Sequence, residues 1–298
     1  MTKIISEGCF AKMKTEKKQQ ESSSLAEARE ARLAVLEKIA EYEAEGGEKF
    51  FCDVENDPPV QVIMPDEVDY LHEKTGTKIK VFFARIIEAV ASFFVRKRYK
   101  IKVEGEENLH GLRGGAIFTS NHFAQTENIA VRTAAKKVRG RHRFCKLVRE
   151  GNFRMKGIIG YLLKYADTLP VSSNMHTMNK LGTAIEKLLK DDAFILIYPE
   201  QAMWWNYKKP RPYRIGAYHY AAKNGVPVVP CFVTLTDSGK KSKLGFTEYY
   251  YTIHVMPPLY PDPALSVRVN AENMRTRNFE LCRNKYEEVY GIPLSYEK

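Results

Sequence analysis

Residues 119–128 read TSNHFAQTEN and follow a short apolar run at 116–118. His122 stands five positions before an acid, Glu127. A carboxylate can hold one nitrogen of such an imidazole while the other nitrogen faces a cleft. A free imidazole titrates at roughly pH 6.5, so the open nitrogen can accept a proton from a substrate hydroxyl at neutral pH. The carboxylate then stabilises the imidazolium that forms. The pair can meet if a helix starts near Gln125 and Thr126. A solvated histidine at a helix start has the same spacing, and the pair alone does not separate the two readings.

The elements that would position these residues are legible as a pattern. Residues 1–23 are polar, with the composition of a disordered tail. Ser24–Glu27 reads as a capping box for a helix running to about Ala44, which Gly46 and Gly47 end. Residues 48–76 carry Pro58, Pro59 and Pro65, which exclude a long helix. From residue 99 short apolar strands alternate with helical patterns. KIKVEG, GGAIFTS, RFCKLV, DTLPVS, AFILIYPE, VPVVPCFVTL and EYYYTIHVMPPL read as strands. Helices fall between them, and the helix at 270–290 closes the chain. This alternation predicts an α/β fold: a mixed, mostly parallel sheet flanked by helices. The chain divides into the tail at 1–23, an N-terminal helical region at 24–98 and an α/β domain at 99–298.

In open α/β sheets, ligands bind beyond the carboxyl ends of the strands. Two strand ends lead from apolar runs directly into polar residues: AIFTSNH and AFILIYPEQ. If these strands run parallel, His122 and Glu200 reach the same edge.

Residues 79–95, IKVFFARIIEAVASFFV, form an amphipathic helix on a helical wheel. Phe82, Phe83, Ile86, Ile87, Val90, Phe93 and Phe94 share one face; Lys78, Arg85, Glu88, Ser92 and Arg96 gather on the other. RKRYK follows. This pattern suits a helix lying in a membrane interface. It also suits a helix packed on the protein's own core.

The 298 residues carry a net charge of +11, which favours an anionic partner such as a membrane surface, an acidic substrate or nucleic acid. Few aromatics interleave with the basic stretch at 131–156, which argues against single-strand binding. Five scattered cysteines without a C-x-x-C imply neither a disulfide framework nor a zinc site and fit a reducing cytosol. The N-terminus lacks the form of a signal peptide. No apolar segment is long enough to span a bilayer.

The order of blocks adds to this reading. Asn121, His122 and Glu127 are followed by YADTLPVSS, then YPEQAM, then RIG and VPVVP. This series resembles the lysophosphatidic acid and glycerolphosphate acyltransferase family over about residues 99–235. The resemblance implies a glycerolphosphate acyltransferase-like fold and acyl transfer from acyl-CoA or acyl carrier protein to a lipid hydroxyl. His122 would be the base and Glu127 its orienting acid. Acceptor binding would fall to Asn121, Tyr198, Pro199, Glu200, Gln201 and Gly216. The sequence departs from the family at Glu127, which replaces Asp, and at Gln201, Ala202 and Met203, which replace Gly-Thr-Arg. Ser173 and Met203 stand where the family has the two arginines that hold an acceptor phosphate. Lys208, Lys209, Arg211 and Arg214 are candidates for a relocated phosphate site, or a solvated basic loop. No Ser or Cys sits in a nucleophile motif, so direct attack on the thioester is implied. Backbone amides near the Asn121 turn are candidates to stabilise the oxyanion.

No metal or prosthetic group is implied. The expected partners are a membrane lipid surface and, as donor, acyl carrier protein, without nucleic acid. The expected location is the cytoplasmic face of a membrane, peripherally bound. Two alternatives stay open: a catalytically weak lipid-binding protein of the same fold, and a basic nucleic-acid-binding protein.

Overall fold

The computed structural model describes residues 2–55 and 61–296, without the side chains of residues 2–22. Pro58 and Pro59 lie outside the described residues. Seven strands form one sheet: β1 (Lys102–Glu104), β2 (Ala116–Thr119), β3 (Phe144–Val148), β4 (Thr168–Pro170), β5 (Phe194–Ile197), β6 (Val228–Lys241) and β7 (Thr247–Val255). Their order is β1-β7-β6-β2-β5-β3-β4, and only β6 and β7 pair antiparallel. The mixed, mostly parallel sheet predicted from the alternation is thus present.

The central strands β2 and β5 are buried along their whole length, as two-sided cover by helices requires. The helices are α1 (Thr2–Glu45), α2 (Thr75–Arg98), α3 (Asn128–Ala135), α4 (Glu150–Phe153), α5 (Gly157–Tyr165), α6 (Met175–Lys190), α7 (Gly216–Asn224) and α8 (Val267–Tyr290). One core cluster, with Ile117, Ile195, Leu181 and Tyr218, lies on one sheet face. A second, with Phe118, Leu196, Val131 and Val255, lies on the other. Consecutive strand residues alternate between the two clusters, as the pleat dictates.

Two expectations about the N-terminus differ from what is seen. Ser24 lies inside α1 rather than capping it, and α1 takes in residues 2–23, assigned above to a tail. The sequence from residue 2 to 45 holds no proline, so nothing interrupts the helix before Gly46.

The setting of α2 decides between its two readings. The face turned to the protein buries Val81, Ala84 and Ser92, with Arg85 and Glu88 reaching ion pairs beside it. Arg85 donates to both oxygens of Asp167 at 2.8 and 2.9 Å, and Arg143 donates to the same carboxylate at 2.7 Å. Glu88 pairs with Arg132 at 2.6 Å and Lys146 at 2.8 Å. Its apolar face points away from the protein: Ile79, Phe82, Phe83, Ile86, Val90, Phe93 and Phe94 are all exposed. Ile158 and Ile159 on the adjoining α5 extend the patch. The alternative of a face packed on the protein's own core is therefore excluded.

The ionic interface under α2 includes His72, which is buried and accepts a hydrogen bond from Arg143 Nη2 at 3.0 Å through Nδ1. Burial, reinforced by Arg143, pushes the His72 imidazole down to about 4. Below about pH 6.5 the unfolded chain takes a proton that the folded chain refuses until about pH 4, so stability falls as pH drops through that window. The loss reaches roughly 3 kcal/mol. Asp167, held low by Arg85 and Arg143 against the opposing effect of burial, loses its own contribution only below about pH 3.8, outside that window. Urea unfolding of His72→Asn across the window is expected to show a shallower pH dependence than the unsubstituted protein. Equal slopes would count against the assignment.

Candidate active site

β2 and β5 pair in parallel with Thr119 opposite Ile197, so the chain leaves both strands at one edge of the sheet. Ser120 and Asn121 continue from β2 and are buried. Asn121 donates through Nδ2 to the Val233 carbonyl at 3.0 Å and accepts from the Val233 amide at 2.8 Å. This side chain acts as one more rung of the ladder, pinning the turn to β6. The sequence places Asn121 among acceptor-binding residues; the structure uses its side chain to hold the turn through two hydrogen bonds to Val233.

His122 comes next. Its Nδ1 lies 2.5 Å from Glu127 Oε1. Glu127 sits at the N-terminal cap of α3, where its own carbonyl accepts from Ala130 at 2.8 Å. The glutamate side chain is long enough to close the pair across the turn. A carboxylate only accepts, so Nδ1 carries the hydrogen and Nε2 keeps its lone pair. The His122 side chain is 21% exposed and that of Glu127 is 0% exposed. The pair therefore has one buried orienting end and one end open to a ligand, the arrangement a general base needs.

Tyr198 fixes the plane of the imidazole. The two rings stack with centroids 4.0 Å apart and an interplanar angle of 11°. The Tyr198 hydroxyl and Glu127 Oε2 are both buried and interact with each other. Burial, with the nearby Glu127 carboxylate, pushes the Tyr198 phenol well above its usual value and keeps it neutral.

Glu200 holds the backbone of the same turn. Its Oε2 accepts the His122 amide at 3.0 Å and its Oε1 accepts the Arg211 amide at 2.9 Å. Arg211 Nη2 donates to Oε2 at 2.9 Å, and Nη1 donates to the Phe50 carbonyl at 2.7 Å. Arg211 also donates to the Ala202 carbonyl and lies 4.5 Å from the centroid of Trp204. The loop after β5 meets the turn directly as well: Trp204 N donates to the His122 carbonyl and Asn206 N to the Phe123 carbonyl, both at 3.0 Å.

Glu200 and Arg211 are therefore both buried beneath the loop, Arg211 completely. Expected to touch the acceptor, they instead lie behind the turn that carries His122 and hold its backbone. Exposure to a phosphate would strip Glu200 of its counter-charge, which is why Arg211 cannot serve a relocated phosphate site. The other basic candidates are also engaged. Lys209 pairs with Glu43 at 2.5 Å, and Arg214 pairs with Glu48. Lys208 lies over the rings of Tyr249 and Tyr290. Ser173 donates through Oγ and N to Glu150, at 2.9 and 3.1 Å.

Pro199 is buried and accepts the Arg214 amide at 2.9 Å, while Gly216 is exposed at the start of α7. Gln201 is exposed with φ 64°, a left-handed conformation that glycine adopts without steric cost. The His122 amide donates to Glu200 and so is not available as an oxyanion donor.

Sequence reasoning missed two contributors. Arg211 was read as a surface cation because its aromatic and carbonyl partners come from residues 50 and 202–204, which no local pattern links to it. Trp204 is fully buried between Phe50, Tyr42 and Tyr207 and belongs to the core beneath the turn.

Residues 100–234 match the family model described as Acyltransferase. The chain is similar to the crystal structure of the 1-acyl-sn-glycerophosphate (LPA) acyltransferase, PlsC, from Thermotoga maritima. Identity is 18%, coverage is 74% of this chain and 89% of that one, and the TM-score is 0.49. No curated protein matches the chain.

Proposed function

We propose, from the acyltransferase domain formed by residues 100–234, that this chain moves a fatty acyl group from a thioester to the hydroxyl of a lipid acceptor. The donor is acyl-CoA or acyl carrier protein, and no metal or prosthetic group takes part. The observation that carries this reading is the His122–Glu127 pair, with its buried acid and open Nε2, at the carboxyl edge of parallel strands.

In this mechanism His122 Nε2 takes the proton from the acceptor hydroxyl as its oxygen attacks the thioester carbonyl. The tetrahedral intermediate collapses, the carbon–sulfur bond breaks, and the imidazolium returns its proton to the departing thiolate. Glu127 stabilises the transient imidazolium. Tyr198 and the Glu200–Arg211 pair keep the ring and its backbone in place. The test is product formation by mass spectrometry from acyl donors and a panel of lysophospholipid and glycolipid acceptors. No product from any donor and acceptor would favour lipid binding without catalysis.

The reading includes peripheral attachment to the cytoplasmic face of a membrane through α2. No helix among the described residues is long and apolar enough to cross a membrane. The exposed face of α2 supports attachment because full burial is worth roughly 1.5–3 kcal/mol per large apolar side chain. Even partial insertion of seven such side chains outweighs the cost of association. Much of the basic stretch at 131–156 is tied up internally, Arg132 and Lys146 on Glu88 and Arg143 on Asp167, which leaves less charge for nucleic acid. Phe83→Glu with Phe94→Glu is expected to abolish flotation with lipid vesicles while the unfolding midpoint stays unchanged. Retained flotation would rule out α2 as the attachment.

A further inference from the structure

Beyond the acyl-transfer site, a cavity of about 320 Å³ opens where the last turn of α2 meets the β6–β7 hairpin. Its walls include Lys97, Arg98, Lys100, Lys240, Ser238 and Tyr250. Arg98 is neutralised by Glu248 at 2.7 Å. Among the described residues, Lys97, Lys100 and Lys240 have no acidic partner within ion-pair distance. Three unneutralised ammonium groups around one concavity repel each other, and an anion between them relieves that repulsion. The volume falls at the lower end of the range for small-molecule sites.

The position of the cavity indicates where the anion comes from. Lys97 Nζ lies 4.5 Å from the ring centroid of Phe93, one helical turn earlier on the outward apolar face of α2. A helix lying flat with that face in the acyl region keeps its basic end in the adjoining headgroup layer, and the contact with Phe93 puts Lys97 of the cavity wall beside that face. Lys100 lies over Tyr250 at 4.4 Å, which fixes a second ammonium group in the wall. The wall also reaches the active site: Tyr99 stacks on Tyr251 at 4.3 Å, and Tyr251 meets Phe123, next to His122, at 5.2 Å.

We propose that this cavity binds the phosphate headgroup of an anionic bilayer lipid and so sets the depth and orientation of α2 on the membrane. The assignment rests on attachment through α2.

The test compares flotation with phosphatidylcholine vesicles and with phosphatidylcholine containing phosphatidylglycerol. The proteins are the full chain, a Lys97→Gln, Lys100→Gln, Lys240→Gln variant, and a control losing equal charge elsewhere, Lys78→Gln, Lys156→Gln, Lys223→Gln. The unsubstituted chain is expected to bind anionic vesicles more tightly. The cavity variant is expected to lose up to roughly fivefold per lysine of that gain and keep its binding to neutral vesicles. The control is expected to keep the gain. An equal loss in the control would show a diffuse field and overturn the site. Binding of inorganic phosphate or coenzyme A without vesicles that is lost in the cavity variant, while that variant keeps the full gain on anionic vesicles, would assign the cavity to a soluble phosphate and overturn the lipid. Binding without any anionic preference would sink this inference alone, whereas no binding to either vesicle would sink attachment through α2 as well.

Discussion

His122→Ala is expected to lower the rate of acyl transfer by roughly 10²–10⁴-fold, the range that a positioned general base contributes. The fold should survive. The imidazole is part-exposed, and its one strong hydrogen bond goes to Glu127. Stability changes through the carboxylate left behind: Glu127 loses its partner in a fully buried site, so a modest drop in the unfolding midpoint is expected. Glu127→Gln keeps the volume and removes the charge. It should also slow transfer, by a smaller factor, because Nε2 still reaches the acceptor but the imidazolium loses its stabiliser. Product formation by mass spectrometry, with midpoints measured in parallel, decides the matter. Equal rates for the unsubstituted protein and His122→Ala would remove the base mechanism while leaving the domain assignment intact.

The second large effect concerns Arg211 and Glu200. Arg211→Met leaves a buried carboxylate without its counter-charge and is expected to destabilise the protein by roughly 3–5 kcal/mol. Adding Glu200→Met removes the stranded charge, and much of that stability should return. Activity should not return. In the double variant the His122 amide has no acceptor, and the turn carrying the base is held only by Trp204, Asn206 and Asn121. Recovery of stability without recovery of rate is the signature of a positioning pair. Recovery of both would mean that Glu200 and Arg211 matter only for folding. Denaturant unfolding and initial rates on the same three proteins make the distinction.

The two effects show how the site is layered. His122 faces the open edge of the sheet with Glu127 buried behind it, and Tyr198 holds the ring from its face. Glu200, Arg211 and Trp204 hold the backbone from below, and Phe50, from the segment after α1, closes that lower layer. The N-terminal region therefore takes part in building the site, a connection that no feature of residues 24–55 suggested.

Some features were legible because their cause is local. The alternation of apolar strands with helical patterns fixes an α/β sheet, since each run must bury its faces and short connections permit few arrangements. The apolar runs at 116–118 and 194–197 could only be central strands, and both are buried throughout. Asn224-Gly225 is a helix-ending pair, and α7 stops there with Gly225 left-handed at φ 65°. The dyad was legible as a possibility because five residues across a turn into a helix bring two side chains together. The amphipathic face of α2 was legible from its period of 3.6 residues.

What sequence alone determined about this protein is therefore the sheet, the pair of residues able to act as base and acid, and the existence of an apolar helix face. The tertiary structure decided which of two faces of α2 meets the protein, and it chose the charged one, because Asp167, Arg132 and Lys146 wait there for Arg85 and Glu88. It also decided that Asn121, Glu200 and Arg211 are buried and hold the turn that carries His122. Their partners, Val233, His122 and Phe50, are distant in sequence or on other elements. A side chain's role depends on what desolvates it and what satisfies it. For a polar group those partners are set by the packing of distant segments, which periodicity and spacing do not encode.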